Sequence, residues 1–255
     1  MGFISDLSEE DALLRARIND ACELCEMRSC PRFVGFLDEH RQAVARAVLH
    51  EKGTSHFLLY GGYEGAERTI LGVFPSFLPP DSDLFPLKAI GFRYRSVARL
   101  SHRDFLGALL SVGIKRDKLG DIVCGEGLTV VFANEELAPF LAESVDKVGS
   151  EGVHAVFPFT GEVAVCREFR EYQDTVASPR LDAVLGVALR VSRQEAVRRI
   201  VSGTVSCNHM PCEAVAHVVG EGDILSVRGE GRFLIASLGP LTKKGRLIIK
   251  LHKYI

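Results

Sequence analysis

The sequence lacks any hydrophobic run long enough to cross a bilayer. Its apolar stretches, such as residues 57–60 and 247–249, fall far short of the roughly 20 residues that a membrane helix needs. A secretory signal is also missing, because residues 1–10 carry acids where such a signal carries basic residues before an apolar segment. We therefore expect a cytoplasmic protein. With 47% hydrophobic and 25% charged residues, the composition is that of an ordinary globular chain that buries a core.

Evidence for disulfides or a metal is also weak in the sequence. Seven cysteines are an odd number, and with no secretory signal they are expected to be reduced. Two groups carry metal-ligand atoms: Cys22, Cys25 and Cys30, and Cys207, His209, Cys212 and His217. The first contains a single Cys-x-x-Cys pair on a predicted helix, and the second has irregular spacing, whereas a structural zinc site needs four ligands. We predict no metal site and no cofactor.

Several enzyme signatures are missing as well. The glycine-rich segment 61–68 lacks the spacing of a dinucleotide or Walker loop and joins two predicted strands, so we interpret it as a hairpin connection. His102-Arg103-Asp104 is similar to a kinase catalytic loop, but no Asn stands five residues after Asp104 and no Asp-Phe-Gly follows. A methyltransferase would need a glycine-rich loop between a strand and a helix, and the sequence contains none. These absences exclude the corresponding enzyme classes.

Charge is distributed unevenly along the chain. The formal net charge is −2, yet residues 180–255 contain 12 Lys and Arg against 6 Asp and Glu. Residues 1–179 contain 19 basic and 27 acidic residues. Such an asymmetry suggests that the C-terminal part binds a polyanion.

The segment Arg180–Arg228 shows the clearest local pattern. Apolar residues recur there with helical spacing at Leu181, Val184, Leu185, Ala188 and Leu189. A second helix begins at Ser192, which forms a predicted capping box with Glu195, and it ends at Gly203. After Gly203 the hydrophobic period changes to two, which predicts a small β-structure.

The preceding part of the chain predicts two further regions. Helices at residues 13–28 and 40–50 and two short strands precede a proline-rich boundary at residues 75–86. Residues 87–157 then follow the order strand, helix, strand, strand, helix, strand, with Ser101 capping the first helix, which is typical of a ferredoxin-like domain. RNA-binding modules of the RRM type share this layout, although we expect the aromatic residues of its strands to pack in the core.

Motif residues in the C-terminal segment resemble the ribosomal-protein-S-four type of RNA-binding domain. They are Arg180-Leu181-Asp182, Ser192-Arg193, Ala196, Ile200, Gly203, Val205, Asn208 and Gly222-Asp223. Additional motifs lie at residues 61–68, 101–107, 113–116, 120–122, 229–233 and 242–246. Together they make nearly the whole chain after about residue 33 similar to the YlmH family.

The resemblance implies an α+β protein with three domains. They are a small N-terminal α/β domain over 1–84, a ferredoxin-like domain over 85–175, and an S-four-type RNA-binding domain over 178–255. It implies a non-catalytic protein that binds rRNA or tRNA on the large ribosomal subunit and is encoded near bacterial cell-division genes. An RNA-modifying enzyme that docks through its C-terminal domain is the alternative, and a protein-binding scaffold is a third option. The oligomeric state stays open.

Residues that suit phosphate binding combine cations with a helix N-terminus, where backbone N–H groups favour an anion. The predicted RNA-binding residues are Arg180, Ser192, Arg193, Gln194, Arg198, Lys243, Lys244, Arg246, Arg103, Lys115 and Arg116. Arg199 is a weaker candidate because Glu195, four residues earlier, offers it a local partner. We predict no catalytic residue, since His102 and Asp104 are the only close pair and Asp104 belongs to a helix cap.

Overall fold

A computed structural model describes residues 8–163 and 169–254 of the 255-residue chain. The chain divides into two compact units, one up to residue 165 and one from residue 166 onwards. Both units combine α-helices with antiparallel sheets, and the described residues contain six α-helices in all. None of these helices is both long enough and apolar enough to span a bilayer. The predicted boundary near residue 84 lies inside the first unit, and the three-domain division stays a prediction.

The first unit begins with two helices and a three-stranded sheet. Its elements are α1 (Glu9–Arg28), β1 (Arg32–Leu37), α2 (Glu39–Glu51), β2 (Phe57–Tyr60) and β3 (Thr69–Val73). The sheet order is β1-β3-β2, and its core contains Ile18, Val44 and Leu71. Helix α1 starts four residues before the predicted position because Ser8 caps it, accepting a 3.1 Å hydrogen bond from the Asp11 N–H. Strand β1 was not predicted from the sequence.

The remainder of the first unit forms a second sheet. Its elements are β4 (Leu87–Arg93), α3 (His102–Ser111), β5 (Leu119–Cys124), β6 (Leu128–Asn134), α4 (Ala138–Ser144), β7 (Lys147–Val148), β8 (Glu151–Gly152) and β9 (His154–Val156). The four-stranded sheet has the order β5-β6-β4-β9, and β7 pairs with β8. The expected capping box of α3 is confirmed. Phe92 and Phe132 are buried, as expected for core aromatics, and α4 has a proline in its first turn.

The second unit is a six-stranded sheet with two helices. Its elements are β10 (Phe169–Val176), α5 (Leu181–Leu189), α6 (Arg193–Val201), β11 (Val205–Cys207), β12 (Met210–Pro211), β13 (Ile224–Val227), β14 (Gly231–Leu241) and β15 (Leu247–Tyr254). The strand order is β10-β15-β14-β13-β11-β12. Buried residues of the helices, among them Leu181, Leu185 and Ile200, share one core with the strands. The predicted helical stripe of α5 and the end of α6 at Gly203 are therefore confirmed.

Strand β10 differs from the sequence prediction. The predicted central domain extended to residue 175, but β10 pairs with β15 along its length, from Phe169 opposite Tyr254 to Val176 opposite Leu247. Most of its side chains are exposed, so the strand has little hydrophobic periodicity. Its partner lies about 80 residues further along the chain, and only the folded unit reveals the pairing.

Candidate functional site

A buried carboxylate holds two predicted arginines together at the start of α5. The Asp182 side chain is 2% exposed, and those of Arg180 and Arg193 are 38% and 63% exposed. Arg180 donates from Nε to Asp182 Oδ1 over 3.1 Å, and Arg193 donates from Nε to Oδ2 over 2.7 Å. The Ala183 N–H also donates to Oδ1. We call Arg180, Asp182 and Arg193 the Asp182 cluster.

The electrostatics of the Asp182 cluster favour an ionised carboxylate. Burial raises the pKa of Asp182. The hydrogen bonds and positive charges of Arg180 and Arg193 lower it by a larger amount, so the pKa lies below the ordinary value. The cluster then carries two positive charges and one negative charge. A guanidinium has five N–H donors, and the contacts with Asp182 use the Nε and Nη2 atoms of each arginine. The Nη1 atoms are the donors that this carboxylate does not engage.

The first turn of α6 follows the prediction in one respect and departs from it in another. Ser192 caps the helix, since its Oγ accepts a 3.2 Å hydrogen bond from the Glu195 N–H. The predicted capping box is wrong in its second half, because the Glu195 carboxylate turns instead to Arg199 at 3.3 Å and Arg198 at 3.6 Å. The local partner expected for Arg199 is confirmed, and Glu230 is a second partner at 3.2 Å. Arg198 remains 71% exposed.

A cleft of about 620 Å³ is lined by residues from both ends of the second unit. Arg193 from α6 and Arg246 from the segment before β15 both line it, although they are 53 positions apart in the sequence. Arg190 lines the same cleft and lies over the Tyr172 ring, 4.9 Å from its centroid. The acidic lining residues are Asp174 and Asp182. Basic residues therefore outnumber acidic ones in this cleft by three to two.

The remaining candidates of the second unit differ in how freely they can contact a ligand. Arg246 is held by Thr175, with a 2.9 Å hydrogen bond from Nε to the threonine Oγ1 and another from Nη2 to the backbone carbonyl. Lys243 and Lys244 are exposed in the turn between β14 and β15. Gln194 is exposed in the first turn of α6. Lys243, Lys244 and Gln194 thus present polar ends to solvent, while the Arg246 guanidinium already supports β10.

The candidates of the first unit also divide into exposed and engaged side chains. Arg103, in the first turn of α3, and Lys115 are exposed. Arg116 donates from Nη1 to the carbonyls of Leu119 and Gly120 over 3.0 and 2.9 Å. Burial and the neighbouring Arg68 lower the pKa of Arg116 to about 10. Arg116 therefore supports the start of β5, a role that sequence spacing did not indicate.

Asp121 occupies part of the glycine-rich segment with a protein carboxylate. Its carboxylate accepts hydrogen bonds from the Tyr63 hydroxyl over 2.6 Å, the Glu67 N–H over 2.7 Å and the Arg68 N–H over 3.0 Å. Two backbone amides of the segment, those of Glu67 and Arg68, therefore bind a protein carboxylate. Gly62 has φ +102°, and a Cβ there would lie 2.3 Å from the Phe132 ring. The segment connects β2 and β3, as predicted.

The only close acid and base predicted from the sequence do not form a catalytic arrangement. Asp104 accepts hydrogen bonds from the Ser101 N–H over 2.8 Å and the Ser101 hydroxyl over 2.6 Å, and these bonds lower its pKa. Loss of hydration and the Arg116 charge lower the pKa of His102. Asp104 is thus a helix-capping group.

Two residues that line the cleft, Asp182 and Arg190, were not predicted as site residues. Asp182 appeared only as part of a motif, and Arg190 was not selected. A carboxylate two positions after an arginine and inside an apolar helical stripe is a usable signal, because a buried acid requires cationic or hydrogen-bonding partners. The position of Arg190 after the helix, where it adopts φ 56°, offers no comparable signal.

Comparison with known proteins shows similarity to a family model, to a curated relative and to a solved structure. The family model described as "Putative RNA-binding domain in YlmH" matches residues 80–156. The "Ribosome-associated protein quality control protein P2" of Bacillus subtilis (strain 168) is 34% identical over 219 residues, covering 84% of this chain and 84% of that protein. The solved structure of "Cell division protein ylmH from Streptococcus pneumoniae" has a TM-score of 0.52 and 18% identity, covering 61% of this chain and 94% of that chain. At that identity, the structural match shows a shared fold alone.

Proposed function

The chain belongs to the YlmH family, and on that premise we propose that it is a non-catalytic RNA-binding protein that acts on the ribosome. Its relative from Bacillus subtilis is named for ribosome-associated quality control, and the matching family model is named for RNA binding. More specifically, we propose that it binds rRNA or tRNA on the large ribosomal subunit and that its function is linked to cell division. We also propose that the second unit is an S-four-type domain and that residues 85–156 form a ferredoxin-like domain.

The Asp182 cluster is the observation that carries this proposal. A phosphate requires cationic donors in a fixed direction, and a bidentate guanidinium supplies them better than a flexible ammonium group does. Asp182 orients Arg180 and Arg193 at the N-terminal ends of α5 and α6, and both side chains remain partly exposed. Both arginines can then contact RNA phosphates through the atoms that Asp182 leaves unengaged.

The double substitution Arg180→Ala with Arg193→Ala tests this role in the full chain. Each phosphate contact releases about one counterion when the protein binds. A variant that lacks two contacts should therefore show a slope of log affinity against log salt that is shallower by about two. Binding to ribosomal RNA should be measured by fluorescence anisotropy at several salt concentrations. Circular dichroism of the variant checks that the fold is intact.

Arg199→Ala is the matched control, because Arg199 lies on the same helix but pairs with Glu195 and Glu230. It removes one positive charge and should leave the salt slope unchanged. If the double variant has the same salt slope as the parent protein, the proposed role of the Asp182 cluster is contradicted. Failure of the parent protein to cosediment with ribosomal subunits at low salt would contradict the ribosomal part of the proposal.

The alternative function is an RNA-modifying enzyme that docks through its second unit. The engagement of Asp104 by Ser101 argues against the pair that the sequence offered for catalysis. Mass spectrometry of bound RNA after incubation with the protein tests the alternative, since a modified nucleoside would support an enzyme. Ribonuclease treatment separates RNA binding from a protein-binding scaffold, because only RNA-dependent complexes dissociate.

A further inference from the structure

We propose that Cys207, Cys212 and His217 form a binding site for Zn²⁺. One ligand atom from each residue lies within 4.8 Å of those of the other two. Irregular spacing along the sequence argued against a metal site at these residues, but the fold brings three of the four suspected ligands together. Thiolate and imidazole groups are the ligands that zinc prefers in proteins.

A tight hairpin explains how such spacing gives a compact ligand set. Ser206 of β11 pairs with Pro211 of β12, and the Cys212 N–H donates to the Val205 carbonyl over 3.0 Å. Cys212 therefore lies opposite Val205, on the same face of the hairpin as Cys207, which is two positions further along β11. The turn at Asn208 and His209 has φ values of 48° and 67°. Four intervening residues thus place two thiols side by side.

The third ligand comes from a segment that the fold also fixes. The His217 N–H donates to the Ala214 carbonyl over 2.9 Å, and the His217 carbonyl accepts the Leu181 N–H over 2.8 Å. His217 is exposed, whereas Cys207 is buried and Cys212 is partly buried. The site therefore has a buried sulfur side and a solvent side. A water molecule can supply the fourth position on the solvent side, as in zinc sites with three protein ligands.

The charges of the three ligands suit a divalent cation. Zn²⁺ would replace two thiol protons, which leave to solvent, and two thiolates with one neutral imidazole would make the site electrically neutral.

The distances require a modest contraction on binding. Zinc–sulfur bonds of about 2.3 Å in a tetrahedral site place two sulfur atoms about 3.8 Å apart. The ligand atoms at up to 4.8 Å must therefore approach by about 1 Å. Residues 212–217 form a connection without helix or strand between β12 and β13, so this shift does not break an element. The bound metal would tie the hairpin to the segment beside Arg180, which bridges to Val218.

Cobalt titration of the reduced, metal-free full chain tests the site. Two thiolate ligands in a tetrahedral site should produce a sulfur-to-cobalt charge-transfer band and intense visible absorption, which saturate at one equivalent. Added Zn²⁺ should abolish both signals by displacement. Cys212→Ser and His217→Ala should each weaken cobalt binding by about 100-fold or more, because losing a ligand costs at least as much as losing a group that supports one.

Control substitutions distinguish this site from the other cysteines. Cys30→Ser and Cys124→Ser remove thiols from the first unit and should leave the titration unchanged. His217 is exposed, so His217→Ala should keep the metal-free circular dichroism spectrum. The proposal is overturned if the parent gives no thiolate band, or if the band survives undiminished in both Cys212→Ser and His217→Ala. This site does not depend on the proposed RNA-binding function.

Discussion

Asp182 determines where two of the proposed RNA-binding side chains lie. It is almost fully buried, and both guanidinium groups and one backbone N–H donate to it. A buried carboxylate in such a setting stabilises the fold only while its partners are present, since the isolated charge would be costly to bury. The same contacts restrict the rotamers of Arg180 and Arg193. Stability and ligand orientation therefore depend on one side chain.

Asp182→Asn tests the structural part of this argument. The substitution keeps the shape of the side chain but removes its charge and one acceptor, so the free energy of unfolding should fall by about 1.5–3 kcal/mol. Urea denaturation at pH 7 measures the loss. Asp174→Asn is the matched control, because Asp174 lines the same cleft but is exposed, and we expect a change of no more than about 0.5 kcal/mol.

The difference between the parent and Asp182→Asn should also depend on pH. The folded-state pKa of Asp182 is below its ordinary value, so the contribution of the ionised carboxylate is complete above the unfolded-state pKa. It is lost as pH falls through the folded-state pKa. The two stability curves should therefore converge in acid. Curves that stay parallel down to strongly acidic pH would contradict the ionised state of Asp182.

The residue-level prediction succeeded for contacts within one helical turn and failed for those made across the fold. The cap at Ser192 and the pairing of Arg199 with Glu195 depend on neighbours three and four residues apart, and both are observed. Glu195 was predicted to contact both the Ser192 N–H and Arg199; the contact with Arg199 is observed, and the Ser192 half is wrong. Contacts such as that of Arg193 with Asp182, or that of Arg246 with Thr175, follow from packing that local spacing does not encode.

At the scale of elements, the turn between β14 and β15 presents two lysines on a rigid support. The Thr242 N–H donates to the Arg246 carbonyl over 2.7 Å, and the Gly245 N–H donates to the Thr242 carbonyl over 2.9 Å. Gly245 has φ +72°, which suits glycine in a tight turn. The backbone holds the turn, so the lysine side chains are available for binding without being needed for the fold.

We expect Lys243→Ala with Lys244→Ala to weaken RNA binding while leaving the melting temperature unchanged. Two lost ammonium–phosphate contacts should make the salt slope shallower by about two. Lys243→Arg with Lys244→Arg is the control, since it retains both charges and should retain the slope. Anisotropy titrations at several salt concentrations measure the slopes. If the alanine variant has the same salt slope as the parent protein, this turn is not part of the RNA interface.

Elements with a strong internal pattern were predicted best. Helix α5 has an uninterrupted apolar stripe, and its predicted span agrees with the observed one. Strands β1 and β10 were missed, and β10 shows why: most of its side chains are exposed, and its pairing partner is distant in sequence. Hydrogen bonding between backbones forms such a strand, and backbone pairing leaves little trace in side-chain periodicity.

At the scale of the whole molecule, the basic candidates are distributed over both compact units. The second unit carries the Asp182 cluster and the lysine turn, whereas Arg103 and Lys115 are exposed on the first. The matching family model covers residues 80–156, which lie in the first unit and include both of these cations. We infer that each unit contributes phosphate contacts to the same RNA. The net negative charge of residues 1–179 does not prevent exposed cations in that part of the chain from binding phosphate.

Substitutions in the two units of the full chain test this inference. Arg103→Ala with Lys115→Ala should make the salt slope shallower by about two, as should Arg180→Ala with Arg193→Ala, and the four-fold variant should lose about four. The changes should add because the two pairs lie in different compact units. Lys88→Ala, which removes a cation already paired with Glu135 at 3.1 Å, is the control for the first unit and should leave the slope unaltered. If Arg103→Ala with Lys115→Ala retains the salt slope of the parent protein while the other pair does not, RNA binding belongs to the second unit alone.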